Sequence, residues 1–210
     1  MEKIKEILNN LKEADYWNNA NLHIHTNVSD GKSSVDTVVS YCKGLKYFSI
    51  TDHNSIEAYD NEQLKICDNV IYGVEFDCWH KGVFIHILGY GMDINNPDFQ
   101  KLLAKNQKSK TDSLTRILEG RNTVEVIKTI KKAGGVAILA HPACYWCISL
   151  DYFVKDLIKA GLDGMEVYYP YKRHRKIIKF HFQSTVKKVA QKYNLIMTGG
   201  TDEHRDLNNL

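Results

Sequence analysis

The chain is short of the features that classify a protein most quickly. No apolar run approaches the roughly 20 residues of a membrane span, and the N-terminus carries Glu2, Glu6 and Glu13 among its lysines in place of the apolar centre of a secretory signal. A membrane protein is therefore not expected, and a cytoplasmic location is. Charge of one sign is not in excess: 28 basic against 25 acidic residues leave a formal net charge of +3. That is too mild to demand nucleic acid as a partner, although it leaves room for a local anion site. Cysteine is sparse and odd in number. Cys42, Cys67, Cys78, Cys144 and Cys147 are scattered over a chain large enough to fold without covalent staples, so reduced thiols are expected. Cys144 and Cys147 form a Cys-x-x-Cys, but no second pair completes a structural zinc site. There is no internal repeat, no low-complexity tract, and no Gly-x-Gly-x-x-Gly after the first strand.

What is present is 210 residues, 43% of them hydrophobic, enough to bury a substantial core in one domain spanning 1–210. Ile4, Ile7, Leu8 and Leu11 lie on one face of an amphipathic helix within residues 1–19. From residue 20 onward, apolar strands alternate with helical patterns. The strands are Asn21 to His25, Tyr47 to Thr51, Val70 to Val74, Val83 to Tyr90, Val136 to Ala140, Gly164 to Tyr168 and Leu195 to Thr198. Seven strands in alternation argue for parallel βαβ units, and near-continuous apolar strands for a sheet covered on both faces. The fold class expected is α/β, seven strands closed into a barrel, with an open doubly wound sheet as the alternative. Pro97 to Leu118 is charged and mostly helical in pattern. It reads as a solvated face, or else as a lid over the site.

The polar residues gather where such a barrel builds its active site, at strand C-termini. His23 and His25, two apart on a strand, point to one face while Leu22 and Ile24 point to the other. The run Asn27-Val28-Ser29-Asp30-Gly31 can turn Asp30 back toward them. Of nine histidines, His23, His25, His53, His86, His141 and His204 fall on or just after strands, and Asp30, Glu75, Glu166 and Asp202 occupy matching places. Imidazole and carboxylate together suit zinc, manganese or iron. At roughly three to five protein ligands per ion, the set implies two or three divalent ions bridged by a carboxylate.

The pieces HIHTNVSDG, ITDHN, GVEFD, HILGYGMD, AHPACY, GLDGMEVYYP and TGGTDEH, in this order from about residue 20 to the C-terminus, resemble the PHP family, the polymerase and histidinol phosphatase superfamily. That resemblance implies a distorted (β/α)7 barrel and a metal-dependent phosphoesterase, stand-alone in type. It also implies a distribution of ligands. His23, His25, Glu75 and Asp202 would hold one ion; a second would share Glu75 and add His86 and His141; Asp30, His53 and His204 would hold a third. Glu166 would support rather than ligate, and Asp52 would orient an imidazole or the substrate. A metal-activated water would be the nucleophile, with Asp202 or His204 passing protons to the leaving group.

Lys172, Arg173, His174, Arg175 and Lys176 follow the Glu166 strand, and Arg173, His174 and Arg175 are candidates for gripping a phosphate; a solvated helix start is the competing reading. Tyr145, Tyr168 and Trp79 could stack on a ring of the substrate or serve as packing. The expected substrate is a small phosphomonoester, nucleotide-like or histidinol-phosphate-like. The alternatives are a nuclease acting on short RNA or DNA ends, a protein-tyrosine phosphatase, and a non-catalytic metal-stabilised interaction module. Three departures from the family pattern are expected to matter: Asn21 where an acid is common, a short Gly91 to His141 segment, and a chain that stops six residues after His204.

Overall fold

The computed structural model describes residues 2–171 and 181–209. The N-terminal amphipathic stretch forms two helices, α1 (Glu2–Asn10) and α2 (Glu13–Asn18), rather than one. The break is made locally: the Asp15 carboxylate accepts the Lys12 amide at 2.7 Å and opens a new helix N-terminus. Next come β1 (Ala20–Ile24), α3 (Val35–Cys42) and β2 (Tyr47–Ile50). Ser34 caps α3 by accepting the Thr37 amide. α4 (Glu62–Lys65) leads to β3 (Gly73–His80) and β4 (Val83–Tyr90). Three short helices follow, α5 (Pro97–Gln100), α6 (Lys108–Thr111) and α7 (Ser113–Leu118). The chain then runs through β5 (Arg121–Asn122), α8 (Thr123–Lys132), β6 (Val136–Leu139), α9 (Leu150–Ala160), β7 (Gly164–Tyr168), α10 (Gln183–Lys192) and β8 (Ile196–Gly199).

β1 and β2 pair in parallel, and a second sheet has the order β5-β3-β4-β6-β7-β8. Isolated bridges join the two. Phe48 pairs with Val70 and His53 with Glu75 on one side, and Ile24 pairs with Glu203 on the other. The expectation of parallel units throughout fails at β4, which is antiparallel to both β3 and β6. The cause is a two-residue turn in which Lys81 (φ 50°) and Gly82 (φ 75°) both take positive φ, as a tight type I′ hairpin requires. Strand β3 also starts later than the sequence pattern suggests, so Glu75 lies inside it rather than beyond its end.

Apolar side chains of the six-stranded sheet, α8, α9 and α10 form the larger core, and α3, α4 and the outer side of β1–β2 form a smaller one. Leu22 belongs to the first and Ile24 to the second, both about 1% exposed or less. Each such side chain contributes about 1.5–3 kcal/mol on burial, so the strand that carries the two histidines is anchored from behind by both cores. No helix among the described residues is long and apolar enough to cross a membrane, and none of the five cysteines is in a disulfide.

The Pro97 to Leu118 segment departs most from its pattern. Lys110 and Arg116 are buried, while Leu114, Ile117 and Leu118 face solvent. α7 thus turns its cationic residue inward against the hydrophobic pattern, and the reason lies in the site.

Candidate metal centre

The alternation of β1 delivers His23 and His25 to one side, both almost fully buried. Two glycines make that possible. A Cβ on Gly200 would overlap the His23 side chain, and one on Gly31 the His25 carbonyl. The histidines therefore sit where the chain approaches most closely. Glu75 projects from the middle of β3 and is wholly buried, with Oε2 3.1 Å from Nε2 of both His23 and His25 and 3.4 Å from Nε2 of His53. Its Oε1 lies 3.0 Å from His86 Nδ1 and 3.1 Å from His141 Nε2. Asp202 Oδ1 stands 3.4 Å from His23 Nε2 and 3.2 Å from His25 Nε2. Toward the surface, Asp30 Oδ1 lies 3.1 Å from His204 Nε2, and its Oδ2 lies 3.7 Å from His53 Nε2.

Three groups of donors thus come within reach of a common centre: His23, His25, Glu75 and Asp202; His53, Glu75 and His86; and His25, Asp30, His53 and His204. The donor set fits divalent ions. With ligand bonds of about 2.0–2.2 Å, neighbouring donors around one ion stand about 3 to 3.6 Å apart, the spacing seen here. Glu75 Oε2 and Asp30 Oδ1 are buried with no hydrogen bond, an expensive arrangement unless a cation satisfies them.

The electrostatics follow from that crowding. Burial alone would push the Glu75 carboxyl up, but His23, His86 and His53 outweigh it and hold the group well below the usual carboxylate range. Burial works against a charged His25 in the same way. Its contacts with Asp202 and Glu75 prevail and raise it to about 9. His53 goes the other way, lowered chiefly by burial. Backbone strain is concentrated here as well, with Asn54 (φ 54°), His141 (φ 26°) and Asp202 (φ 50°) all in the left-handed region. Strain of this kind costs about 1–3 kcal/mol per residue and persists where the surroundings impose it.

Supporting groups hold the ligands in place. Glu166 takes His23 Nδ1 at 3.0 Å and the His141 amide at 2.8 Å, the supporting place expected for it. Asp52 does not orient an imidazole directly and does not line the cavity. Its oxygens accept the Thr26 amide and hydroxyl and the Ser29 hydroxyl at 2.6–2.7 Å, and only Ser29, 3.5 Å from His25 Nδ1, links it to a histidine. Asp52 ties down the loop that carries Asp30. Arg173, His174 and Arg175 lie outside the described residues. Of the three aromatics, Tyr145 is buried with its hydroxyl on the Ala140 carbonyl, Tyr168 stacks on Tyr16, and Trp79 donates to the Ile117 carbonyl. All three serve packing.

Three residues escaped the sequence reading. Arg116 Nη1 lies 3.0 Å from Asp30 Oδ2, which is why α7 turns it inward. Tyr169 donates to Asp202 Oδ2 at 2.8 Å. Asp77, wholly buried, lies two residues beyond Glu75 on the same side of β3, an alternation of two acids within an apolar strand that could have revealed it. The centre opens into a cavity of about 400 Å³ walled also by Arg116, Cys144 and Tyr169. Among its described lining residues, Arg116 is the one Lys or Arg.

Comparison with known proteins bears first on the fold, which is similar to that of solved structures described as PHP-like metal-dependent phosphoesterases. A candidate metal-dependent phosphoesterase from Bifidobacterium adolescentis superposes with a TM-score of 0.70 at 20% identity, over 89% of this chain and 87% of that one. A two-domain protein from Bacteroides vulgatus containing a predicted PHP-like metal-dependent phosphoesterase superposes with a TM-score of 0.58 at 18% identity, over 90% of this chain and 53% of that one. In sequence, the chain is similar to the phosphoribosyl 1,2-cyclic phosphate 1,2-diphosphodiesterase of Eggerthella lenta, 21% identical over 87% of this chain and 93% of that protein. It is also 29% identical to the 5'-3' exoribonuclease Rnm of Salmonella typhimurium, over 72% of this chain and 52% of that protein. No family model matches the chain.

Proposed function

We propose that the protein is a metal-dependent phosphoesterase hydrolysing the phosphomonoester of a small molecule, nucleotide-like or histidinol-phosphate-like. The observation that carries this reading is the convergence of six histidines and three carboxylates on a cluster centred on the buried Glu75. His23, His25, Asp30, His53, Glu75, His86, His141, Asp202 and His204 are the proposed ligands of two or three ions of manganese, zinc or iron. Ions held there would neutralise phosphoryl charge and acidify an attacking water. Arg116 adds a fixed positive charge at the cavity wall, Tyr169 orients Asp202, and Asp202 or His204 moves the proton to the leaving oxygen.

The proposal extends to the scaffold. The bridges from β2 to β3 and from β1 to the segment after β8 support a ring of β1, β2, β3, β4, β6, β7 and β8, a distorted (β/α)7 barrel forming one domain over 1–210. We place it in the cytoplasm. A second reading, cleavage of a phosphodiester, is favoured by the likeness to a diphosphodiesterase and an exoribonuclease.

The test is turnover on p-nitrophenyl phosphate, histidinol phosphate, nucleoside mono- and bisphosphates, a cyclic phosphodiester and short oligonucleotides, with metal content measured on the same preparation. Turnover of a monoester with two or three ions bound is expected. Turnover confined to oligonucleotides or the cyclic ester would replace the first reading with the second, and silence with ions bound would favour a non-catalytic module.

A further inference from the structure

The donor atoms of the cluster must be offered in the correct orientation, and the structure shows one side chain placed to enforce this on two histidines at once. Asp77 Oδ1 lies 3.2 Å from His53 Nδ1 and 3.2 Å from His86 Nε2. The other nitrogen of each ring faces Glu75: His53 Nε2 stands 3.4 Å from its Oε2, and His86 Nδ1 3.0 Å from its Oε1. The two histidines therefore use opposite ring atoms toward the centre, a distinction that their own sequence positions do not make. We propose that Asp77 is a positioning residue whose carboxylate keeps the proton on His53 Nδ1 and on His86 Nε2, leaving His53 Nε2 and His86 Nδ1 as the ligand atoms. This rests on reading the cluster as a metal centre, but not on which phosphoester is cleaved.

Asp77 is itself held in one orientation. Across the β3–β4 ladder it is paired with His86, which fixes that contact by register. Asn54 donates from Nδ2 to Asp77 Oδ2 at 2.5 Å, and Asn54 Oδ1 accepts both the Asp77 amide at 3.1 Å and Arg121 Nη1 at 2.7 Å. Two donors on Asn54 Oδ1 settle which way its amide points, so its NH2 must face residue 77. Arg116 Nε, 3.9 Å from the same Oδ2, adds positive charge on that side. The remaining oxygen, Oδ1, faces the two imidazoles at 3.2 Å and, like His53 Nδ1, is buried without a hydrogen bond, so the pair is free to close into one when the ring protons are placed. Carboxylates that accept from the far nitrogen of a ligating histidine fix its tautomer and raise its basicity, and their loss typically lowers metal affinity roughly 10- to 100-fold.

The geometry makes the near-isosteric variant the more damaging one. In Asp77→Asn, the new carbonyl must satisfy the Asn54 NH2, so the new NH2 faces His53 Nδ1 and His86 Nε2 and presents a donor where an acceptor stood. The favoured tautomers are then the wrong ones for binding. Asp77→Ser, whose hydroxyl either donates or accepts, leaves the imidazoles free to choose. Zinc affinity measured by chelator competition is expected to fall roughly 10- to 100-fold in Asp77→Asn and less in Asp77→Ser. Long-range proton–nitrogen NMR of the zinc-loaded wild-type chain, labelled at histidine, is expected to show protonated Nδ1 on His53 and protonated Nε2 on His86. That spectrum fixes which ring atoms ligate, and the affinity gap between Asp77→Asn and Asp77→Ser assigns the choice to Asp77. The opposite ring atoms carrying the protons, or Asp77→Asn binding zinc as tightly as wild type, would overturn the proposal alone. A wild-type chain that takes up no zinc, manganese or iron would overturn it together with the metal-centre reading.

Discussion

The inner and outer halves of the centre use the same side-chain types at different depths. His23 on β1, His25 just past its end and Glu75 on β3 are essentially inaccessible, held by strands anchored from behind by apolar cores. Asp30 and His204, with side chains 22% and 35% exposed, ride on connecting segments and complete their group only by borrowing His25 and His53. Arg116 already neutralises Asp30 in part from 3.0 Å. Depth therefore separates two behaviours. The inner donors are preorganised and cannot be satisfied by water, so they demand a cation. The outer group includes the partly exposed Asp30 and His204 and is partly neutralised by Arg116, so an ion there would exchange more readily, even though Asp30 Oδ1 is itself buried without a hydrogen bond.

Glu75→Gln is the sharpest way to break this contrast. It removes one charge common to two of the three donor groups, and an inner affinity loss of about 100-fold or more is expected, with hydrolysis abolished. Metal analysis and turnover on the same sample check it; turnover within tenfold of wild type would dissolve the distinction. Asp52→Ala should strike the outer half through the fold. It strands the Thr26 amide and hydroxyl and the Ser29 hydroxyl, and a loss of about 3 kcal/mol or more in urea unfolding is expected. His204→Ala should cost about tenfold in affinity for one ion per chain, leaving the others in place under staged chelation.

The mildest effect is one of pH on the metal-free protein. His25 is raised from 6.5 to about 9 and His86 to about 10. Groups raised on folding contribute stability that is fully present below pH 6.5 and is lost as pH climbs through those values. Glu75 and Asp202 are lowered and stay ionised across that window. Thermal stability of the metal-free chain is thus expected to fall between about pH 7 and 10. Metal-loaded protein, whose imidazoles no longer bind protons, should show little such slope.

Much of this arrangement is legible in the sequence because strand periodicity is. His23 and His25 two apart, with Leu22 and Ile24 opposite, specify both a face and a core, and each apolar strand ending in an ionisable residue marks the rim of a sheet. What was not legible depends on charge acting across space. Arg116 inverts the amphipathic pattern of α7 because Asp30 attracts it more than solvent does, and Asp77 is hidden in an apolar run because its partners, Asn54, His53 and His86, come from two other segments. The β3–β4 hairpin was missed because Lys81 accepts a left-handed backbone that its residue type does not announce. The partners of Asp52 were equally illegible: its carboxylate accepts from Thr26 and Ser29 and reaches His25 only through the Ser29 hydroxyl.

Beside the inner group, Asn21 and Thr201, 180 residues apart, hydrogen-bond to each other, and His23 and Asp202 meet next to them. Segments beside the first and last strands are therefore adjacent in space, and the donor cluster is complete only with β8 docked beside β1. Closing a contact of that separation carries a large loop-closure cost. An ion gripped there would then serve as a removable cross-link. In the chain-entropy picture, tying a loop of that length restrains the unfolded chain by about 5 kcal/mol, so loading the centre would lock the fold as well as arm it.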